Sequence, residues 1–297
     1  MRALAARYLG FVSHAFNSAQ GRFRNFMSYA RQWLDECGSE DSHGRALWAL
    51  GTVVGRSCDP GKQSLAGELF HITLPSVATF TSPRAWAFAL LGIDEYLRAF
   101  EGDSNVQAVR TVLAERLLDL FRRTSDGKWP WFEDRVTYSN ARLPQALLVS
   151  AAWMKDEDMR AAGIRSLRWL AQIQCSEDGY FAPIGSNGFY RRGARKALYD
   201  QQPVEACAMV SACLEASRTT GDGLWAQHAR RAFSWFVGQN HLQRSLYDAT
   251  TGGCRDGMHT DRMNENQGAE STLSFLLALA EMRSADRAAT TTVRDPA

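Results

Sequence analysis

YDQQPVEACAMVSAC (199–213) decides the fold. A charged loop reaches Pro203, whose fixed φ suits a first helical turn, and the chain then becomes small and apolar on several faces. A helix that is apolar nearly all round is buried on most sides. The same transition recurs in SEDSHGRALWALG (39–51), TSPRAWAFALLGI (81–93), TYSNARLPQALLVSA (137–151) and NENQGAESTLSFLLAL (264–279). Between these lie two-faced helices such as EDMRAAGIRSLRWLAQIQ (157–174), whose Arg160, Arg165 and Arg168 can face water. Buried helices alternating with amphipathic ones describe an inner ring inside an outer ring. The expected fold is therefore all-α, an (α/α)6-type toroid of helical hairpins over residues 1–285, with a disordered tail over 286–297.

Apolar periodicity places helices at about 2–17, 25–37, 43–55, 62–74, 83–100, 104–124, 141–154, 157–174, 203–219, 221–239 and 268–283. Gly, Pro, Asn and Asp punctuate the breaks. Four loops are long and rich in aromatics or glycine: 21–29, 126–138, 178–193 and 248–267. Long loops inside a compact domain are uncommon unless functional, and each of these leads toward an inner helix. One end of the toroid is thus the expected site.

Lys and Arg (34) nearly balance Asp and Glu (32), and the net charge of +2 leaves no basic footprint for nucleic acid. No apolar run reaches the roughly 20 residues of a membrane span. The N-terminal segment reads as an amphipathic helix rather than a signal peptide, because Arg7 and His14 interrupt it. The six cysteines form no C-x-x-C pair, which fits a reducing, cytoplasmic setting without a zinc cluster. H-E-x-x-H, G-x-S-x-G, G-x-G-x-x-G and Walker spacings are all absent, so no cofactor or metal is expected.

Residues 21–51, 129–148 (WPWFEDRVTYSNARLPQALL), 199–206 and 266–279 together resemble the six-hairpin toroid family of carbohydrate-active proteins. More closely, they resemble a bacterial domain found fused to or beside exopolysaccharide-type glycosyltransferases. The resemblance implies a carbohydrate ligand and a glycosyltransferase domain or subunit as partner. Relatives carry a further upstream hairpin with an acidic pair followed by Asn and Arg. Nothing here matches it, and five inner helices are counted, so the ring reads as lacking its first hairpin.

Sugars present hydroxyls and apolar ring faces, so a site needs polar groups, aromatic platforms and, for cleavage, two carboxylates with separated pKa values. Four groups qualify. Asp41, His43 and Arg45 stand with Glu40 at an inner-helix start; Asp41 or Ser42 suits an N-cap, whereas His43 and Arg45 oppose the dipole and imply a nearby carboxylate or anionic ligand. Trp129, Trp131 and Phe132 flank Glu133, with Tyr138, Asn140 and Arg142 following; the aromatics either stack on pyranose rings or pack as a loop. Tyr190, Asp200, Gln202 and Glu205 precede or open the 203–219 helix, where Glu205 is either a capping carboxylate or an acid/base. Asp256, His259, Asn266 and Glu270 form the last group; Glu270, inside an apolar helix, is expected to pair with Arg45 or Arg142. The expected catalytic carboxylates are two of Asp41, Glu133, Glu205 and Glu270. The expected function is cleavage or rearrangement of glycosidic bonds, against the alternative of a non-catalytic glycan-binding or scaffolding module. An epimerase would want paired histidines, for which His43 and His259 are the candidates.

Overall fold

The computed structural model describes residues 2–294. Ten helices follow in order among the described residues: α1 Arg2–Ala15, α2 Glu40–Arg56, α3 Pro60–Thr73, α4 Pro83–Leu97, α5 Ser104–Thr124, α6 Arg142–Met154, α7 Glu157–Ile173, α8 Pro203–Thr220, α9 Gly223–Phe236 and α10 Ala269–Arg294. Their starts are written in short side chains. Ser39 accepts from the Ser42 N–H, Asp59 from Lys62, Ser82 from Ala85 and Asp222 from Leu224, each satisfying an amide that the first turn leaves unpaired. Gly221, at φ 70, closes α8 in the left-handed conformation a C-terminal cap needs. Among the described residues no helix is long and apolar enough to cross a membrane.

The chain divides into two compact units. The first comprises residues 1–119 and 149–159, the second residues 120–148 and 160–297. In the first, α2 packs directly on α4, and Gly44, Gly51 and Gly55 let the two backbones touch. A methyl built on Gly51 would lie 2.0 Å from the Gly92 carbonyl oxygen. Leu47, Leu50, Val54, Phe70, Phe88 and Ile93 fill the core around this seam.

In the second unit, α8 packs against α9 and α10, and almost every residue from Pro203 to Cys213 is buried. Among the described residues three antiparallel pairs of two-residue strands stitch the loops: β1 Phe16–Asn17 with β2 Arg22–Phe23 in the first unit, and β3 Arg135–Val136 with β4 Tyr190–Arg191 and β5 Gly257–Met258 with β6 Met263–Asn264 in the second.

Three sequence expectations change. Residues 25–37 form no helix. Asp35 accepts the N–H groups of Asn25 and Phe26, Met27 bridges Trp33, and Arg31 turns the chain at φ 61, so side-chain and tertiary bonds override helical periodicity. Helix α10 runs through the stretch expected to be a tail from Asp286; residues 295–297 lie outside the described residues. Along α10, Leu273, Leu276 and Leu277 are exposed, so this helix is not buried all round as its composition implied.

Candidate functional site

The loops that start α6, α8 and α10 are bonded to one another in the second unit. Gln201 and Met258 exchange backbone hydrogen bonds of 2.9 and 3.0 Å as an antiparallel bridge. The approach demands glycine at 257, where a Cβ would meet the Gln201 oxygen at 2.4 Å. Antiparallel register then sets Asp200 directly opposite His259. The His259 Nδ1–H donates to the Asp200 carboxylate, and both side chains keep about a third of their surface in water (32% and 39%). With Nδ1 carrying the proton, Nε2 holds a lone pair. No hydrogen bond to that Nε2 is made among the described residues. His241 Nε2–H donates to the His259 carbonyl at 3.0 Å and steadies the same turn. An imidazole oriented by a carboxylate at a solvent-reached position is equipped to accept and return a proton.

Glu205 holds a different post. It is 3% exposed, in the first turn of α8, and accepts the backbone N–H groups of Ser139 and Asn140 together with Asn140 Nδ2 at 2.8 Å. Ser139 sits at φ 47, an uncommon conformation that this carboxylate pins. Asn140 is itself buried, its amide bonded to both the N–H and the carbonyl of Thr137. Arg142 is buried as well, donating to Gln145 at 2.7 Å and to Cys207 at 3.6 Å. Burial pushes the Cys207 thiol up to about 11, so it stays protonated at neutral pH.

The aromatic loop before α6 packs inward. Trp129 lies edge-on to Trp169 at 4.8 Å and to Tyr190 at 5.0 Å, and its indole N–H donates to the Glu133 carbonyl. Trp131 is fully buried against Phe132 and Trp169. These faces are spent on protein, the packing alternative of the two read from sequence. Asp126 organises the turn by accepting the Trp129 and Lys128 N–H groups, which hold its carboxyl below the usual range. Glu133, Tyr138, Tyr190 and Gln202 are half-buried around the loop and the start of α8.

At the last group, Asp256 accepts from Asn266 Nδ2 and the Gly268 N–H. Burial acts to raise its pKa, but bonds from Ser271, Asn266 and Gly268 outweigh it and leave the carboxyl lowered. Glu270 is exposed at the start of α10, which removes the reason to expect an ion pair with Arg45 or Arg142. A carboxylate in water at a helix N-terminus is favoured by the dipole without a partner.

In the first unit the N-cap is Ser39, not Asp41. Asp41 pairs with Arg45 at 2.9 Å one turn on, and the Arg45 guanidinium lies over the Phe88 ring at 4.3 Å. Glu40 accepts the N–H groups of Thr81 and Ser82 just ahead of α4. His43 is neither charged nor beside a carboxylate: it is fully buried between Phe23 and Phe80, with Nε2–H donating to the Thr73 carbonyl. Burial lowers its pKa from 6.5 to about 4, against the raising effect of the Thr73 bond and with help from Arg22.

That shift sets a pH dependence. An unfolded chain takes a proton on His43 near 6.5, whereas the folded one waits until about 4. Stability from neutral His43 is present above 6.5 and falls as pH drops toward 4, by about 1.4 kcal/mol per unit and about 3 kcal/mol in all. Denaturant unfolding between pH 7 and 4.5 should show this slope. His43→Gln should lack it; an unchanged slope in the variant would refute the assignment.

Asp200 and His259, the pair with an open proton site, lie 59 residues apart in sequence, and nothing in the spacing announces their meeting. Among the described residues no group of three or more His, Cys, Asp or Glu is arranged to hold a metal ion. No family model and no curated protein matches the chain. Solved structures do. A sugar epimerase from a ruminal bacterium matches with TM-score 0.63 at 12% identity, over 93% of this chain and 83% of its own. An unsaturated glucuronyl hydrolase specific for heparin gives 0.64 at 12%, over 94% and 76%. An alpha-1,6-mannanase from a Salegentibacter species gives 0.63 at 11%, over 95% and 98%. The fold is that of the (α/α)6 toroids. At these identities the likeness establishes the fold alone.

Proposed function

We propose that residues 1–285 act as a carbohydrate-active toroid domain that performs acid–base chemistry on a poly- or oligosaccharide, with His259 as the proton-transfer group and Asp200 as its positioning carboxylate. The observation that supports this is the register-enforced Asp200–His259 pair, part-exposed among the loops that open α8 and α10. It differs from the two-carboxylate scheme because Glu205 is committed to backbone amides and Asp41 to Arg45. The structural neighbours named for sugar epimerisation, glucuronyl hydrolysis and mannan hydrolysis make a saccharide the natural substrate class.

Acid–base catalysis by a placed side chain contributes about a hundredfold to ten-thousandfold. His259→Gln should therefore lower turnover at least about a hundredfold on whichever glycan the wild type converts, followed by product NMR and reducing-end release, while affinity changes little. Asp200→Asn should act in the same direction and less strongly. Full turnover by His259→Gln would end this reading.

The commitment of Asp41 to Arg45 and of Glu205 to backbone amides, with the burial of Trp129 and Trp131, also favours a second reading: a cytoplasmic module that binds glycan beside a glycosyltransferase without turning it over. Wild-type binding with no product from a broad glycan panel would select it.

A further inference from the structure

A polar pocket of about 570 Å³ opens in the second unit, lined by the loop after α7 (Asp178 to Tyr180) and the loop after α9 (Gly238 to Gln243). We propose that it is a saccharide subsite specific for uncharged sugar units, continuing the site at His259; this rests on the carbohydrate reading above.

Connectivity to the proton-transfer pair comes first. His241 lines the pocket and donates through Nε2 to the His259 carbonyl, so one imidazole joins the two places. That bond fixes the tautomer and leaves Nδ1 as an acceptor, and this Nδ1 is buried with no partner. Water does not reach that nitrogen, so His241 serves as a fixed wall joining the two places rather than as a ligand contact.

The lining is built rather than incidental. Asn240 is 2% exposed and donates to the Trp235 and Arg244 carbonyls at 2.9 and 2.8 Å, which holds the rim in shape. Gln243 adopts φ 50, a conformation in which glycine would be easier, yet it keeps a long polar side chain. That side chain makes no hydrogen bond among the described residues, and neither do those of Asp178 and Gln239. The pocket is thus lined by amide side chains that donate and accept, a carboxylate that accepts, and the aromatic residue Tyr180. Paired donors and acceptors with an aromatic face match a ring of hydroxyls.

Charge narrows the class. No Lys or Arg lines the pocket, and Asp178 adds a negative charge, so a uronate or phosphate would meet repulsion without a compensating cation. A volume of about 570 Å³ lies within the roughly 300–1,000 Å³ of small-molecule sites.

Titration calorimetry of the full chain with a length series of neutral oligosaccharides and a matched series of oligouronates tests the proposal. Both glutamines are exposed, so the Gln239→Ala/Gln243→Ala variant should fold normally, checked by circular dichroism. The neutral series should bind the wild type more tightly as length grows. The double variant should lose this gain, about tenfold or more for the longer members, while His259→Gln binds within about threefold of wild type. Tighter binding of the oligouronates, or an unaffected double variant, would overturn the subsite. The enzymatic reading would fail separately, if His259→Gln kept its turnover while the double variant still weakened binding.

Discussion

Gly51→Ala should unfold the first unit under conditions where the wild type is stable. Alanine normally improves a helix interior over glycine by about 1 kcal/mol. Here the added Cβ would stand 2.0 Å from the Gly92 oxygen and 2.8 Å from its carbonyl carbon, both backbone atoms that no rotamer change can move. The contact repeats along the same face, at Gly55 against the Glu95 oxygen (2.1 Å) and at Gly92 against the Leu47 oxygen (2.6 Å). Relief requires α2 and α4 to separate, opening a core of Leu47, Leu50, Phe88 and Ile93 that is almost completely buried. Overpacking typically costs about 1–3 kcal/mol, and a backbone-to-backbone seam belongs at or above the top of that range. Against a total stability of about 5–15 kcal/mol, this is a large share. Gly10→Ala is the control: Gly10 lies in α1, where nothing stands within 4 Å of the new methyl, and the change should be neutral or slightly stabilising. Equal denaturation midpoints for the two variants would refute the close approach of α2 and α4.

Glu205→Ala should cost about 3–5 kcal/mol, because it strips a buried acceptor from three donors at once. The N–H groups of Ser139 and Asn140 and the Asn140 amide would be left without their partner in a site that water does not reach. Hydrogen exchange should report the damage locally, with the Ser139 and Asn140 amides losing protection first. Glu205→Gln should fall between the two proteins, since one amide oxygen still accepts while the NH₂ faces a donor. If Glu205→Ala were as stable as the wild type but inactive, the carboxylate would be catalytic and its structural assignment wrong.

Alternation of small-residue helices with amphipathic ones was legible because helix burial leaves a mark on composition. The starts of α2, α4, α6, α8 and α10 fall at the transitions from charged loop to apolar helix, and Pro203 marks the first residue of α8. Capping also showed in the sequence, though shifted by two residues: Ser39 rather than Asp41 caps α2, because several short polar residues compete at that start.

The site was less legible. A charge-based reading of His43 assumed exposure at the helix N-terminus, whereas Phe23, Phe80 and the Thr73 carbonyl enclose a neutral ring. Trp129 and Trp131 have the composition of a sugar platform and also of a loop core, and only packing distinguishes the two. Glu270 looked enclosed because its neighbours are apolar, yet several of those leucines are themselves exposed. The meeting of Asp200 and His259 depends on the Gln201–Met258 bridge, a long-range pairing with no local signature.

A crystal structure of the chain soaked with an oligosaccharide that it binds decides whether His259 is the group that meets the sugar. The expected result is a sugar oxygen or ring carbon within reach of His259 Nε2, with the glycan running toward His241 and Gln243. A glycan seated on Asp41 and Arg45, or against the exposed edge of Glu133, with no atom near His259, would contradict it.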